Sequence, residues 1–241
     1  MKSYKIHLIR HGETDSNKLG QYIGVTDVEL SEQGESRLRE MDGKNGYPFA
    51  SVVFSSPLKR CLETVRIIYP NIEPTVIEGL SECDFGDWEG KTVDELSSDE
   101  SYRKWVSGSG GRFEPPNGES MVDFQIRVCK AFEDIVERLM RSGTTDAAVV
   151  THGGTIMAIL ASFGLPRANF YDWMTGNGCG YSVRVTPVLW MSGRVMEVYA
   201  RLPLDRREED EVIYAARQAA YEIIGDKRSG KEDPEDKSSD Q

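Results

Sequence analysis

No run of eighteen or more apolar residues occurs in the 241-residue chain, so the sequence offers no helix that would span a membrane. No charged leader followed by an apolar stretch precedes the first strand-like segment, which makes the cytoplasm the expected compartment. Cysteine is scarce. The four present (Cys61, Cys83, Cys129, Cys179) form neither a CxxC pair nor a zinc-binding spacing, which leaves reduced thiols as the plain reading. Basic stretches are lacking too, and with a net charge of -11 the chain has no footprint for a phosphate backbone, which excludes a nucleic-acid binder. Residues from Asp205 onward, with 12 acidic and 7 basic side chains, supply -5 of that total. An anionic substrate therefore needs a locally positive pocket made by particular arginines. Histidine is limited to His7, His11 and His152, and no internal repeat is visible.

What is present is an alternation of short apolar runs with amphipathic ones. Tyr4 to Ile9 reads as a strand closed by Gly12, and it delivers Arg10 and His11 at its carboxyl end, where open α/β sheets bind ligands. A loop runs from Thr14 to Val28. Ser31 then serves as N-cap for a helix ending near Gly43 to Gly46. Ser51 to Phe54 is a second strand. Ser55-Ser56-Pro57 follows it, with Pro57 set for the first helical position and Arg60 in the first turn. Thr75 to Ile77 is a third strand leading to Glu82, Ser120 to Met140 a long helix with Val122, Ile126, Cys129, Phe132, Ile135, Val136 and Leu139 as its apolar stripe, and Ala147 to Thr151 a fourth strand. His152-Gly153-Gly154 opens the next helix, and Tyr181 to Thr186 with Val195 to Tyr199 close the sheet. This pattern predicts an α/β fold of three layers, α/β/α, with a mostly parallel central sheet of about six strands.

Residues 83–118 break the rhythm with eight Gly or Pro residues, and are expected to fold over the carboxyl edge of the sheet as a lid or specificity region. Tyr102, Arg103, Lys104, Trp105 and Arg112 are its unranked specificity candidates. The domain is expected to span 1–204. Residues 205–224 read as a last helix, with docking on the domain as the plain role and homodimer formation as the sharper one, and 225–241 read as a disordered acidic tail.

Four strand ends thus bring an Arg-His pair, an Arg, a Glu and a His to one edge. Such a set suits a phosphoryl group, since Arg forks onto its oxygens and His can carry it covalently. Each residue also has a bland reading: His152 as support for a tight turn, Arg60 as a surface ion pair, Glu82 as one of several nearby acids with Glu78 and Glu89. His7 is read as structural.

Leu8-Ile9-Arg10-His11-Gly12-Glu13-Thr14, Ser55 to Arg60, Glu82 with Phe85-Gly86-Asp87-Trp88-Glu89-Gly90, Gly118-Glu119-Ser120 and Val150 to Gly154 together resemble the histidine phosphatase superfamily, the phosphoglycerate-mutase-like fold, over about residues 4 to 185. The resemblance implies that His11 is a nucleophile that becomes phosphohistidine. It implies that Arg10, Asn17, Arg60 and His152 grip the phosphoryl oxygens, that the Gly153 amide joins them, and that Glu82 is the proton donor. It further implies a metal-independent reaction with no cofactor, on a small phosphate ester. The short passage from Glu82 to Thr92 is similar to the phosphatase branch, notably α-ribazole-5′-phosphate and broad-specificity phosphatases, with a cofactor-dependent phosphoglycerate mutase as the alternative. An inactive phosphate-ester-binding scaffold and a metallohydrolase using both histidines are the other classes to separate. Cys61 and Cys83 directly follow Arg60 and Glu82, so oxidative sensitivity is a further expectation to test.

Overall fold

The computed structural model describes residues 2–44, 46–106 and 114–204. The expected helix 205–224, the acidic tail 225–241 and Arg112 lie outside the described residues.

Strands β1 (Tyr4–Arg10), β2 (Val52–Ser55), β3 (Thr75–Val76), β4 (Asp146–Thr151), β5 (Gly164–Leu165), β6 (Gly180–Val185) and β7 (Met196–Leu202) form one sheet in the order β3-β2-β4-β1-β6-β7-β5. Four of its six pairings are parallel, and β6 runs antiparallel to both neighbours. The sheet has seven strands rather than six, because β5, only two residues long, carries no readable alternation.

Alternation along the central strands builds two cores. Ile6 and Leu8 of β1, with Ala147 and Val149 of β4, pack under helices α6 (Met121–Ser142) and α7 (Gly153–Phe163). Ile9, Ala148 and Val150 point the other way, onto helices α2 (Glu32–Gly43) and α3 (Lys59–Ile68). That is the expected three-layer arrangement. Among the described residues, no helix is long and apolar enough to cross a membrane.

Local differences from the sequence reading have identifiable causes. The loop after β1 contains a short helix, α1 (Asp15–Lys18), nucleated by a reciprocal cap between Thr14 and Asn17. Helix α3 begins at Lys59, not at Pro57, because its first free amide is taken by Asp27, which accepts from the Lys59 N–H at 2.8 Å. On α6, Phe132, Ile135, Val136 and Leu139 are buried as expected, but Val122 and Ile126 are exposed and Cys129 is half-buried, and Phe124, Val128 and Ala131 complete the buried stripe. A short helix, α8 (Pro187–Gly193), separates β6 from β7 and buries Trp190. His7 is buried, bonds Ser182 Oγ at 2.8 Å, and is held neutral by burial, which pulls its pKa down to about 4.

The 83–118 region carries two small helices, α4 (Val93–Leu96) and α5 (Glu100–Val106). Their Leu96 and Tyr102, with Trp88, form a separate aromatic core against Tyr22 of the loop that follows β1. Tyr22 meets Phe85, Tyr102 and Trp105 edge-on, and its hydroxyl is 2.9 Å from that of Tyr102. Tyr102 is therefore spent on packing this region, while Arg103 and Lys104 are exposed.

Candidate active site

Register brings the site together. Parallel pairing sets Arg10 beside Thr151 and Ser55 beside Val150, so β1, β4 and β2 end side by side. The next residues, His11, His152 and Ser56, share one edge. The two imidazoles sit edge to face with ring centroids 5.2 Å apart, and both residues are buried.

His11 Nδ1 lies 2.6 Å from the carbonyl of Gly12. A carbonyl only accepts, so Nδ1 carries the proton and Nε2 keeps its lone pair. Burial holds the His11 pKa well below 6.5, helped by the positive charges of Arg60 and Arg10. The turn beneath it is tied down by its backbone: the Gly178 N–H reaches the carbonyl of His11 at 3.0 Å, and the Gly12 N–H donates to Thr64 Oγ1 at 2.9 Å.

The arginines are fixed from outside the site. Arg60, 1% exposed, donates from Nη2 to the carbonyl of Gly24 at 2.6 Å, from Nη1 to that of Thr26 at 2.9 Å, and from Nε to His152 Nδ1 at 3.3 Å. Two of its five N–H groups are left over. Arg10 donates from Nη1 to the carbonyl of Thr175 at 2.7 Å, while its buried Nε has no hydrogen-bond partner among the described residues. A buried guanidinium N–H with its hydrogen bond still to give is suited to an anion.

His152 is engaged on both nitrogens. Its Nδ1 accepts from Arg60, so Nε2 bears the proton and donates to Ser56 Oγ at 2.8 Å. It meets a phosphoryl oxygen only by giving up one of these bonds. Asn17 uses Oδ1 to accept from the Thr14 amide and from Asn177 Nδ2, which leaves its own amide group as a donor. Gly153 is the first residue of α7, whose N-terminus favours an anion, and its α-carbon faces the Arg10 guanidinium.

Glu82 closes the set. Its Oε2 accepts from the Gly154 N–H at 2.9 Å and its Oε1 from the Cys83 N–H at 3.1 Å. Burial raises its pKa, against the pull of those two amides and of Arg60 and Arg10. A Cβ at position 154 would strike the Glu82 carboxyl and push it from its place, so the second glycine of the pair lets the acid sit where it does. Every site residue expected from sequence thus lies at this edge.

Other participants were invisible in the sequence. Thr64 Oγ1 accepts from the Gly12 amide, the Thr175 carbonyl accepts from Arg10, and Asn177 Nδ2 reaches the carbonyls of His11 and Gly12 and Asn17 Oδ1, while nothing in their spacing marks them; Ser56, the partner of His152, stood only within a quoted motif. Glu89, quoted only as part of a motif, gathers the amides of Gly24, Val25, Thr26 and Phe85. It thereby staples the loop whose carbonyls hold Arg60. A Cβ at Gly24 would collide with the Cys83 carbonyl, so this close approach needs glycine.

Cys61 and Cys83 are buried, and burial pushes the Cys61 thiol up to about 12 and raises that of Cys83 as well. Thiols so rarely ionised react slowly. Treatment of the native chain with peroxide is expected to leave its activity within about twofold of the untreated value; inactivation that thiol reductants reverse would reinstate the oxidation-sensitive reading. Among the described residues, no group of three or more His, Cys, Asp or Glu side chains is arranged to hold a metal ion.

Comparison with known proteins agrees with this geometry. The family model described as Histidine phosphatase superfamily (branch 1) matches residues 6–195. Phosphoserine phosphatase 1 of Hydrogenobacter thermophilus is 31% identical over 184 residues, covering 74% of this chain and 85% of its own. Adenosylcobalamin/alpha-ribazole phosphatase of Salmonella typhimurium is 27% identical over 187 residues, 75% of this chain and 90% of its own. The solved structure of a phosphoglycerate mutase from Thermus thermophilus is 31% identical, with a TM-score of 0.59 over 83% of this chain and 99% of that one. The chain belongs to the histidine phosphatase superfamily, among whose enzymes its relatives are phosphatases and mutases.

Proposed function

We propose that the chain hydrolyses small phosphate monoesters through a phosphohistidine. The observation that carries this reading is His11 with its Nε2 lone pair free, beside an Arg10 whose buried Nε lacks a partner among the described residues. Nε2 attacks phosphorus as the ester P–O bond breaks, and Arg10, Arg60 and Asn17 neutralise or bond the equatorial oxygens. Glu82, whose proton-bearing form is favoured by burial, delivers its proton to the leaving oxygen. As a carboxylate it then takes a proton from water, which attacks phosphorus and releases inorganic phosphate and free His11. The shifts have consistent signs. The acid limb of activity belongs to His11, which must be neutral, and the alkaline limb to Glu82, which must be protonated.

Hydrolysis is favoured over mutase chemistry by the groove beside Glu82. This cavity, about 360 Å³, adjoins the phosphoryl-binding residues only through Glu82; Glu78, Asp84 and Glu119 line it, and Arg127, its one cation among the described residues, is paired with Glu119. A site with that sign suits a neutral or amine-bearing alcohol better than a bisphosphate or phosphoglycerate. Phosphoserine and α-ribazole phosphate head the candidate substrates, by analogy with the named relatives. None of the four cysteines is joined in a disulfide, which suits the cytoplasm.

The test is a screen for phosphate release from phosphoserine, α-ribazole phosphate, sugar phosphates and phosphoglycerates, with chelator present, together with mass-spectrometric detection of phosphohistidine at position 11. Release of phosphate that survives chelator and is blocked by vanadate is expected. Interconversion of phosphoglycerates without phosphate release would establish the mutase instead, and loss of all activity in chelator a metallohydrolase.

A further inference from the structure

Arg127 touches neither Arg10, Arg60 nor His11, yet all five of its guanidinium N–H groups are used. Nε and Nη2 form a bidentate pair with Glu119, at 2.9 and 2.7 Å. Nη1 donates to the carbonyls of Gly79 at 3.1 Å and Ser81 at 3.0 Å, and Nη2 also to that of Glu82 at 3.2 Å. Thus one planar group on α6 grips three carbonyls of the turn that carries the candidate acid. The pair is oriented in turn by the backbone: the Glu119 amide donates to the Asp84 carbonyl at 2.9 Å, and Ser120 caps α6 at once afterwards.

The remaining supports of this turn come from the opposite side. Thr151 Oγ1 donates to the Leu80 carbonyl at 2.6 Å, Thr155 Oγ1 to that of Ser81 at 3.2 Å, and the Gly154 amide holds the Glu82 carboxyl itself. Between Ser81, Glu82, Asp84 and Gly118 lies the open groove already described. Without Arg127 the turn has space to shift into it, and a carboxyl displaced by about 1 Å no longer reaches a leaving oxygen in line.

We propose that Arg127, oriented by Glu119, is the positioning residue for the acid Glu82. The inference rests on the phosphohistidine reading and deepens it. It makes the clamp part of the proton-transfer step, not of phosphate binding.

Leaving-group dependence tests it. An aryl phosphate such as p-nitrophenyl phosphate departs without protonation, whereas an alkyl phosphate such as phosphoserine requires it. Arg127→Met in the full chain is expected to lower kcat/KM for phosphoserine by about 10²-fold but for p-nitrophenyl phosphate by less than about threefold. Glu82→Gln should give the same selectivity, and the double variant should lose little more than Glu82→Gln alone. Arg127→Lys, a single point charge that cannot span three carbonyls, should not rescue. Glu119→Gln, which keeps one acceptor and packs in the same volume, should give the same selectivity at smaller amplitude. Equal losses on both ester classes, or losses that multiply in the double variant, would overturn the proposal. A wild-type chain that forms no phosphohistidine would remove the underlying reading instead, so the two failures are distinct.

Discussion

His11→Ala is expected to abolish phosphoenzyme and to lower turnover by on the order of 10⁴-fold or more, the scale on which nucleophile removal acts in covalent catalysis. The expectation is specific because little else depends on this side chain. Its one hydrogen bond is to the carbonyl of the next residue, while the turn is held by backbone groups, His11 N–H to Thr151 and Gly178 N–H to His11. Those bonds survive the substitution, so the thermal midpoint should move by only a few degrees. The pocket of arginines is also left intact, and vanadate or phosphate should still bind. Mass spectrometry of enzyme quenched during turnover is the direct measurement. A variant that still turned over at a tenth of the wild-type rate would refute covalent catalysis at this residue. One that bound no phosphate would say that the substitution had collapsed the pocket and not removed a nucleophile.

Much of this site could be read from the residues because it is built at strand ends. Register in a parallel sheet is set by the apolar alternation, so once Ile6 to Ile9 and Ala147 to Val150 are recognised as strands, His11 and His152 must fall at the same edge. The cap on Ser31 was legible for a similar reason, since it acts within its own turn. What escaped notice depends on contacts between distant segments. Helix α3 starts late because of Asp27, thirty-two residues upstream, and Arg10 is aimed by the carbonyl of Thr175, which any residue type supplies equally well. Val122 and Ile126 keep a helical spacing and yet face solvent. Three- and four-residue steps fix a stripe only up to rotation, and here Phe124 and Val128 define the side that meets the sheet. Arg127, one of several arginines on a charged helix, differs from them only in what it reaches.

Arg60→Ala should have the second-largest effect, and of a different kind. The guanidinium is the centre of three attachments, to Gly24, Thr26 and His152, so its removal leaves the Gly24 carbonyl and an imidazole nitrogen without this donor and the Thr26 carbonyl with the Val28 N–H alone. A stability cost of about 2–4 kcal/mol is expected, together with a loss of about 10²–10³-fold in kcat/KM, the latter from one lost cationic donor on the transferring phosphoryl group. Vanadate affinity should fall in step with kcat/KM. Arg60→Lys should recover part of that affinity but little of the stability, because an ammonium on one stem cannot satisfy the loop and His152 together. The pH profile separates this residue from a purely structural one. Arg60 is among the charges that depress the His11 pKa, after burial itself. Its loss lets that pKa rise towards 6.5, so at a given acidic pH less His11 is neutral, and the acid limb of kcat/KM moves to higher pH. Were the limb to stay in place while stability fell, Arg60 would be a strut for the 24–26 loop and the phosphoryl group would owe its charge balance to Arg10 alone.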